Sequence, residues 1–167
     1  MSDIRAFRLQ EFSAAQTAVH SNSAPQRAGL SVEVVGAARL AGIDAAWTDL
    51  LTRADALNVF MDPALVRAAA EADPQAQHGA LLAWKPIGGR QQLAGVWAFA
   101  IGHAPRSMLP MRVLIVPRQR HGHLATPVID RDCLDETLDA MLDCIAADPA
   151  LPKDCRDRYD GHGRADL

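Results

Sequence analysis

The stretch HGALLAWKPIGGRQQLAGVWAFAIGH, residues 78–103, decides how the rest of the chain is read. Its two apolar runs, HGALLAW (78–84) and QLAGVWAFAIGH (92–103), are rich in Leu, Val, Trp and Phe. Between them KPIGGRQ carries a proline and a Gly-Gly pair, so the spacing predicts two strands joined as an antiparallel hairpin. Upstream, SVEVV (31–35) alternates and is β-branched, which predicts a first strand closed by Gly36. Downstream, Pro105 and Pro110 punctuate a loop before a third apolar run, MRVLIV (111–116).

Helical signals flank these strands. In GIDAAWTDLLTRAD, Asp44 reads as an N-cap, and Trp47, Leu50 and Leu51 form one apolar stripe. In LNVFMDPALVRAAAEADP, Asp62 then Pro63 is a cap followed by proline in the first turn, and Pro74 ends the Ala-rich helix. A third helix is expected from about Asp132 to Ala147, with its apolar stripe on Leu134, Leu138, Met141, Leu142 and Ile145. Asp132, Asp135, Glu136, Asp139 and Asp143 then cover the rest of that helix. The order β-α-α-β-β-β-α predicts a mixed α/β (α+β) fold: a central, mainly antiparallel sheet flanked by about three helices.

The chain has 167 residues, 49% hydrophobic and 22% charged, with a formal net charge of -3. That is room for one ordinary domain, and the charge argues against a general nucleic-acid partner. No run reaches the roughly 18 apolar residues of a membrane span, and MSDIRAFRLQEF has no apolar signal core, so a cytoplasmic protein is expected. Residues 1–30 are rich in Ala, Ser and Gln, without sustained periodicity, and read as a disordered leader to a domain at 31–153. Cys133, Cys144 and Cys155 match no disulfide or zinc pattern. Cys133 and Cys144 fall on similar faces of the third helix, as small apolar fillers.

The chemistry-bearing candidates cluster after the third strand, in PRQRHGHLATPVID (117–130). Arg118, Arg120, His121 and Gly122 are the candidate anion-binding set, through guanidinium hydrogen bonds and backbone N–H groups around the glycine. A solvated turn between strands, where basic residues are commonplace, is the ordinary reading of the same residues. His121 and His123 have no third ligand at useful spacing, so no metal is expected. Trp47, Trp84 and Trp97 could line an acyl or sugar pocket, but two lie among apolar strand neighbours and core packing is expected. Asp135 and Asp139 could serve a cation, although acids on a helix's polar face are ordinarily just solvated. There is no G-x-S-x-G, H-E-x-x-H or G-x-G-x-x-G motif, and no general base can be named.

The segment WTDLLTRADALNVFMDPALVRAAA, with Trp47, Leu50, Asn58, Phe60 and Pro63, resembles the entry of GNAT-superfamily acetyltransferases. It looks closest to the CelD-type, BioF2-like branch associated with cellulose biosynthesis. LLAW…QLAGVWAFAI resembles that family's hairpin. Thr126, Pro127, Val128, Ile129 and Asp130 resemble its Thr-Pro-hydrophobic-acid box. The similarity covers roughly 31–153 and implies a partial GNAT-like domain. It further implies acyl transfer from acetyl-CoA or another acyl-CoA to a small-molecule acceptor, an amine or hydroxyl. In that family a Gln/Arg-x-x-Gly-x-Gly/Ala loop leads straight into a helix whose N-terminus holds the pyrophosphate. Gln119 and Gly122 fit that loop; Leu124 replaces the small residue, and Pro127 delays the helix, so no acyl-CoA loop is assigned here.

The tail DCRDRYDGHGRADL (154–167) holds four aspartates and three arginines and no apolar pattern, where the architecture asks for a buried strand. A permitted codon choice for Asp154 to Asp166, read one nucleotide later, encodes a β-branched run. The expectation is therefore a frameshifted, N-terminal portion of a larger acyltransferase, incomplete as a catalyst by itself, against the alternative of a genuine disordered tail. A second functional class stays open: a non-catalytic module whose basic turn holds an anionic ligand or partner. Exposed sheet edge in such a fragment would also favour self-association.

Overall fold

The computed structural model describes residues 29–56, 58–74, 76–103, 112–116, 126–153 and 155–157. Strand β1 (Ser31–Gly36) runs directly into a short helix, α1 (Ala37–Leu40), followed by α2 (Asp44–Arg53). A 3-10 turn (Val59–Met61) leads to α3 (Pro63–Ala72). Strands β2 (Gln77–Ile87) and β3 (Arg90–His103) form the hairpin, followed by β4 (Arg112–Val116) and a two-residue β5 (Val128–Ile129). A second 3-10 turn (Arg131–Cys133) opens α4 (Leu134–Ala147), and β6 (Cys155–Asp157) follows it. The sheet order is β1-β2-β3-β4-β6, with β5 also on β3. All pairings are antiparallel except β4 with β6. The chain is thus a mixed α+β fold with a mainly antiparallel sheet.

The hairpin is tighter than KPIGGRQ suggested. Ile87 pairs with Arg90, leaving only Gly88 and Gly89 to turn, at φ of 58 and 79. Two consecutive positive φ values suit a two-residue turn whose twist matches the strands, and glycine adopts them without a Cβ penalty. Farther along, Ala83 faces Gly95 while Trp84 faces Leu93, so Ala94 is an extra, bulged residue. The bulge re-phases β3. Leu93, Val96 and Ala98 all enter one core layer, which unbroken alternation would not allow.

Both faces of the sheet are covered. On one, Val35, Ala80, Leu82 and Val96 pack against Leu40, Trp47, Leu50, Met61 and Val66 from α1, α2, the first 3-10 turn and α3. On the other, Val32, Leu81, Ala83, Phe99 and Leu114 meet Ala140, Met141 and Cys144 of α4. Leu30, just ahead of β1, is buried with Ala94 and Cys133. Trp47 belongs wholly to the core, and Trp84 and Trp97 pack partly against it, with the Trp84 Nε1–H donating to Glu33 Oε1 at 2.8 Å.

Two details of the helices differ from their sequence reading. Asp44 is not the cap of α2; Ile43 holds that position without a side-chain bond, and Asp44 instead pairs with Arg67 of α3. Asp62 does cap α3, accepting from the Ala64 N–H at 2.8 Å, with Pro63 in the first turn. In α4 the buried face is Thr137, Ala140, Met141 and Cys144, while Leu142 is 47% exposed. The reason is close approach. A Cβ on Gly95 would stand 2.8 Å from both Met141 Cε and Thr137 Cγ2, so the helix sits almost on the strand backbone. Thr137, Ala140 and Cys144 line the seam with the flexible Met141, and the leucines are displaced to its flanks.

Candidate functional site

Arg118, Arg120, His121 and Gly122 lie outside the described residues, but the strands that bracket them do not. β4 and β5 lie on the same edge of β3: Ile115 faces Ala100, and Val128 faces Val96. Those positions are four residues apart on β3, about 14 Å at 3.4 Å per residue. Residues 117–125 therefore link two strands arranged end to end along the same side of β3. They do not lead into a helix. A strand and a 3-10 turn intervene before α4, because Pro127 and the β-branched Val128 and Ile129 favour extended backbone. Asp132 sits just before α4, and Asp135 and Glu136 occupy its first turn. Their charges already complement the positive end of the helix and repel a further anion.

The chain entering β5, from Thr126 on, is held by a polar cluster. The Asn58 amide nitrogen donates to the Thr126 carbonyl at 2.8 Å, and its oxygen accepts from the Phe60 N–H at 3.1 Å. Asn58 is buried, so a side chain that satisfies two backbone groups at once is strongly specified there. Asp130, also buried, accepts from the Asp132 N–H at 3.1 Å and forms an ion pair with Arg53. Its own N–H donates to the Ala94 carbonyl, inside the bulge, at 2.8 Å. Arg53 also donates to the Leu93 carbonyl at 3.0 Å and to Asp49 at 2.9 Å.

Arg131 completes the cluster from the opposite direction. Its guanidinium donates to the carbonyls of Arg53 (3.1 Å) and Ala54 (3.2 Å) at the end of α2. Those are carbonyls that the helix leaves without an internal donor. Backbone contacts, the Asp55 N–H to the Ile129 carbonyl and a bridge between Ala54 and Asp130, close the clamp.

Residues far apart in sequence are thereby brought together: Asn58 meets Thr126, and the end of α2 meets Asp130. Sequence reasoning singled out Asn58, Thr126 and Asp130 but missed Arg53 and Arg131. Asp49 four residues before Arg53 hints at an ion pair on the helix. No local pattern announces an arginine that caps a helix from across the fold. Chemically the cluster is a fastening: its donors and acceptors face one another or backbone groups.

The described thiols are core groups. Cys133 and Cys144 are both buried and free. Burial pushes the Cys144 thiol pKa up, nearby Asp148 adds to this, and Lys153 opposes it. Lys153 itself donates to the Asp148 carbonyl at 2.6 Å and fastens the end of α4. Among the described residues no three His, Cys, Asp or Glu side chains converge as a metal centre would need, and no helix is long and apolar enough to cross a membrane. Comparison with family models, curated proteins and solved structures returned no match.

Proposed function

We propose that this chain is the N-terminal part of a GNAT-like, CelD-type acyl-CoA-dependent acyltransferase, not catalytically complete alone and working in the cytoplasm. Acetyl-CoA or another acyl-CoA is the cosubstrate, without a metal, and the acceptor is a small molecule with an amine or hydroxyl. The observation that carries this reading is convergence. The positions behind the resemblance, Trp47 and Leu50 on α2, Asn58, and the box from Thr126 to Asp130, assemble into one packed and hydrogen-bonded unit. Strand β6 (Cys155–Asp157), parallel to β4, is formed by the tail in its given frame, so it lends no support to a change of frame there.

In this reading the described residues are scaffold, and catalysis requires a general base and oxyanion donors beyond them. The test is to sequence the gene through and beyond the codon for Lys153. A one-base change of frame that opens into a strand, a small-residue loop and a helix is the expected result. A confirmed frame with nothing protein-like in the alternative one overturns the fragment reading.

The second reading is a non-catalytic module that holds an anion on the basic segment 118–122, which the sequence carries between β4 and β5. Thermal unfolding separates the two. Acetyl-CoA that stabilises the chain, with the response surviving Arg118→Ala/Arg120→Ala, favours the acyltransferase. Stabilisation by inorganic pyrophosphate but not acetyl-CoA, abolished in the double variant, favours the module. A ligand at a hundred times its Kd is worth about 2.7 kcal/mol, well within the reach of the measurement.

A further inference from the structure

We draw no further inference here: the strongest candidate, the projecting tip of the β2–β3 hairpin, where Lys85, Ile87 and Arg90 extend past the last residues paired with β1 and β5, carries nothing because nothing in the structure shows what covers it.

Discussion

Asp130 shows at the residue scale how one carboxylate can fix the path of a chain. Its charge partner Arg53 keeps 24% of its side chain exposed, against 10% for Asp130. Asp130→Asn preserves shape and the turn but leaves Arg53 with only the exposed Asp49 as its counter-charge. Breaking a fully buried pair costs about 3–5 kcal/mol, and the residual exposure of Arg53 together with its Asp49 partner lowers the expectation to about 1–2 kcal/mol. Urea unfolding of the variant checks it; a loss below about 0.5 kcal/mol would place the pair with ordinary surface ion pairs. Gly95 is a contrasting case, in which the constraint is space. Gly95→Ala drives a methyl into Thr137 and Met141 and is expected to cost about 1–3 kcal/mol. Gly36, with nothing within 4 Å of its notional Cβ, is the control, and Gly36→Ala should be nearly neutral. Equal effects at the two glycines would show that α4 does not rest on β3 as described.

Cys144 supplies the pH dependence. Its folded-state pKa is raised above the ordinary 9.0, so the native protein holds that proton more tightly than the unfolded chain. Stability from this source is intact below pH 9.0 and falls as pH rises from there toward the folded value. Cys144→Ala should flatten that alkaline decline at some cost from the vacated volume. Its thiol should also react with iodoacetamide at neutral pH only through unfolding, since the buried, protonated form is a poor nucleophile. Rapid alkylation of the native protein would contradict the burial on which both expectations rest.

At the scale of elements, α4 tests what a sequence stripe can say. The stripe of Leu134, Leu138, Met141, Leu142 and Ile145 correctly announces a helix with one face on the sheet, and its Met141 lies at the contact, because apolar periodicity follows helix geometry wherever the partner lies. It misplaces the centre of the contact, because that depends on a glycine some forty residues earlier, on another element. Ala140→Leu should therefore destabilise by overpacking, by about 1–3 kcal/mol, while Leu142→Lys is tolerated. The reverse ranking in denaturant midpoints would restore the leucine-centred face. The hairpin was legible for the opposite reason: its signal is local, two glycines between two apolar runs. The second fastening of α2 was not, since Arg131 reaches carbonyls nearly eighty residues earlier and nothing in the intervening sequence encodes the meeting. The basic turn illustrates the same limit. Sequence alone admitted both a phosphate loop and a connection between strands, and only the register of β4 and β5 on β3 shows a strand at each side.

For the whole molecule the question is how the sheet ends. Helices cover both faces, so what is left is the edge, and the sheet order places β1 at one end with β2 as its one described strand partner. Six residues of extended backbone, Ser31–Gly36, hold alternate N–H and C=O groups along that outer side, with Glu33 the sole charge among them. Natural edges are usually blunted by lysine, proline or a bulge, and the sequence SVEVVG carries none of the first two. If a second copy of the chain pairs along that side, a two-fold axis beside β1 pairs like with like and closes the assembly at a dimer. Sedimentation velocity over a wide concentration range should then show a weight-average coefficient that rises and levels at the value of a dimer. Ser31→Lys sets a charge at the end of the paired edge, opposite Gly36 of the second copy, and should shift the equilibrium toward monomer, with the thermal midpoint of the dilute protein little changed. A single monomeric species at every concentration would instead mean that the edge is protected in solution. A rise without a plateau would point to open-ended pairing of edges rather than to a closed dimer.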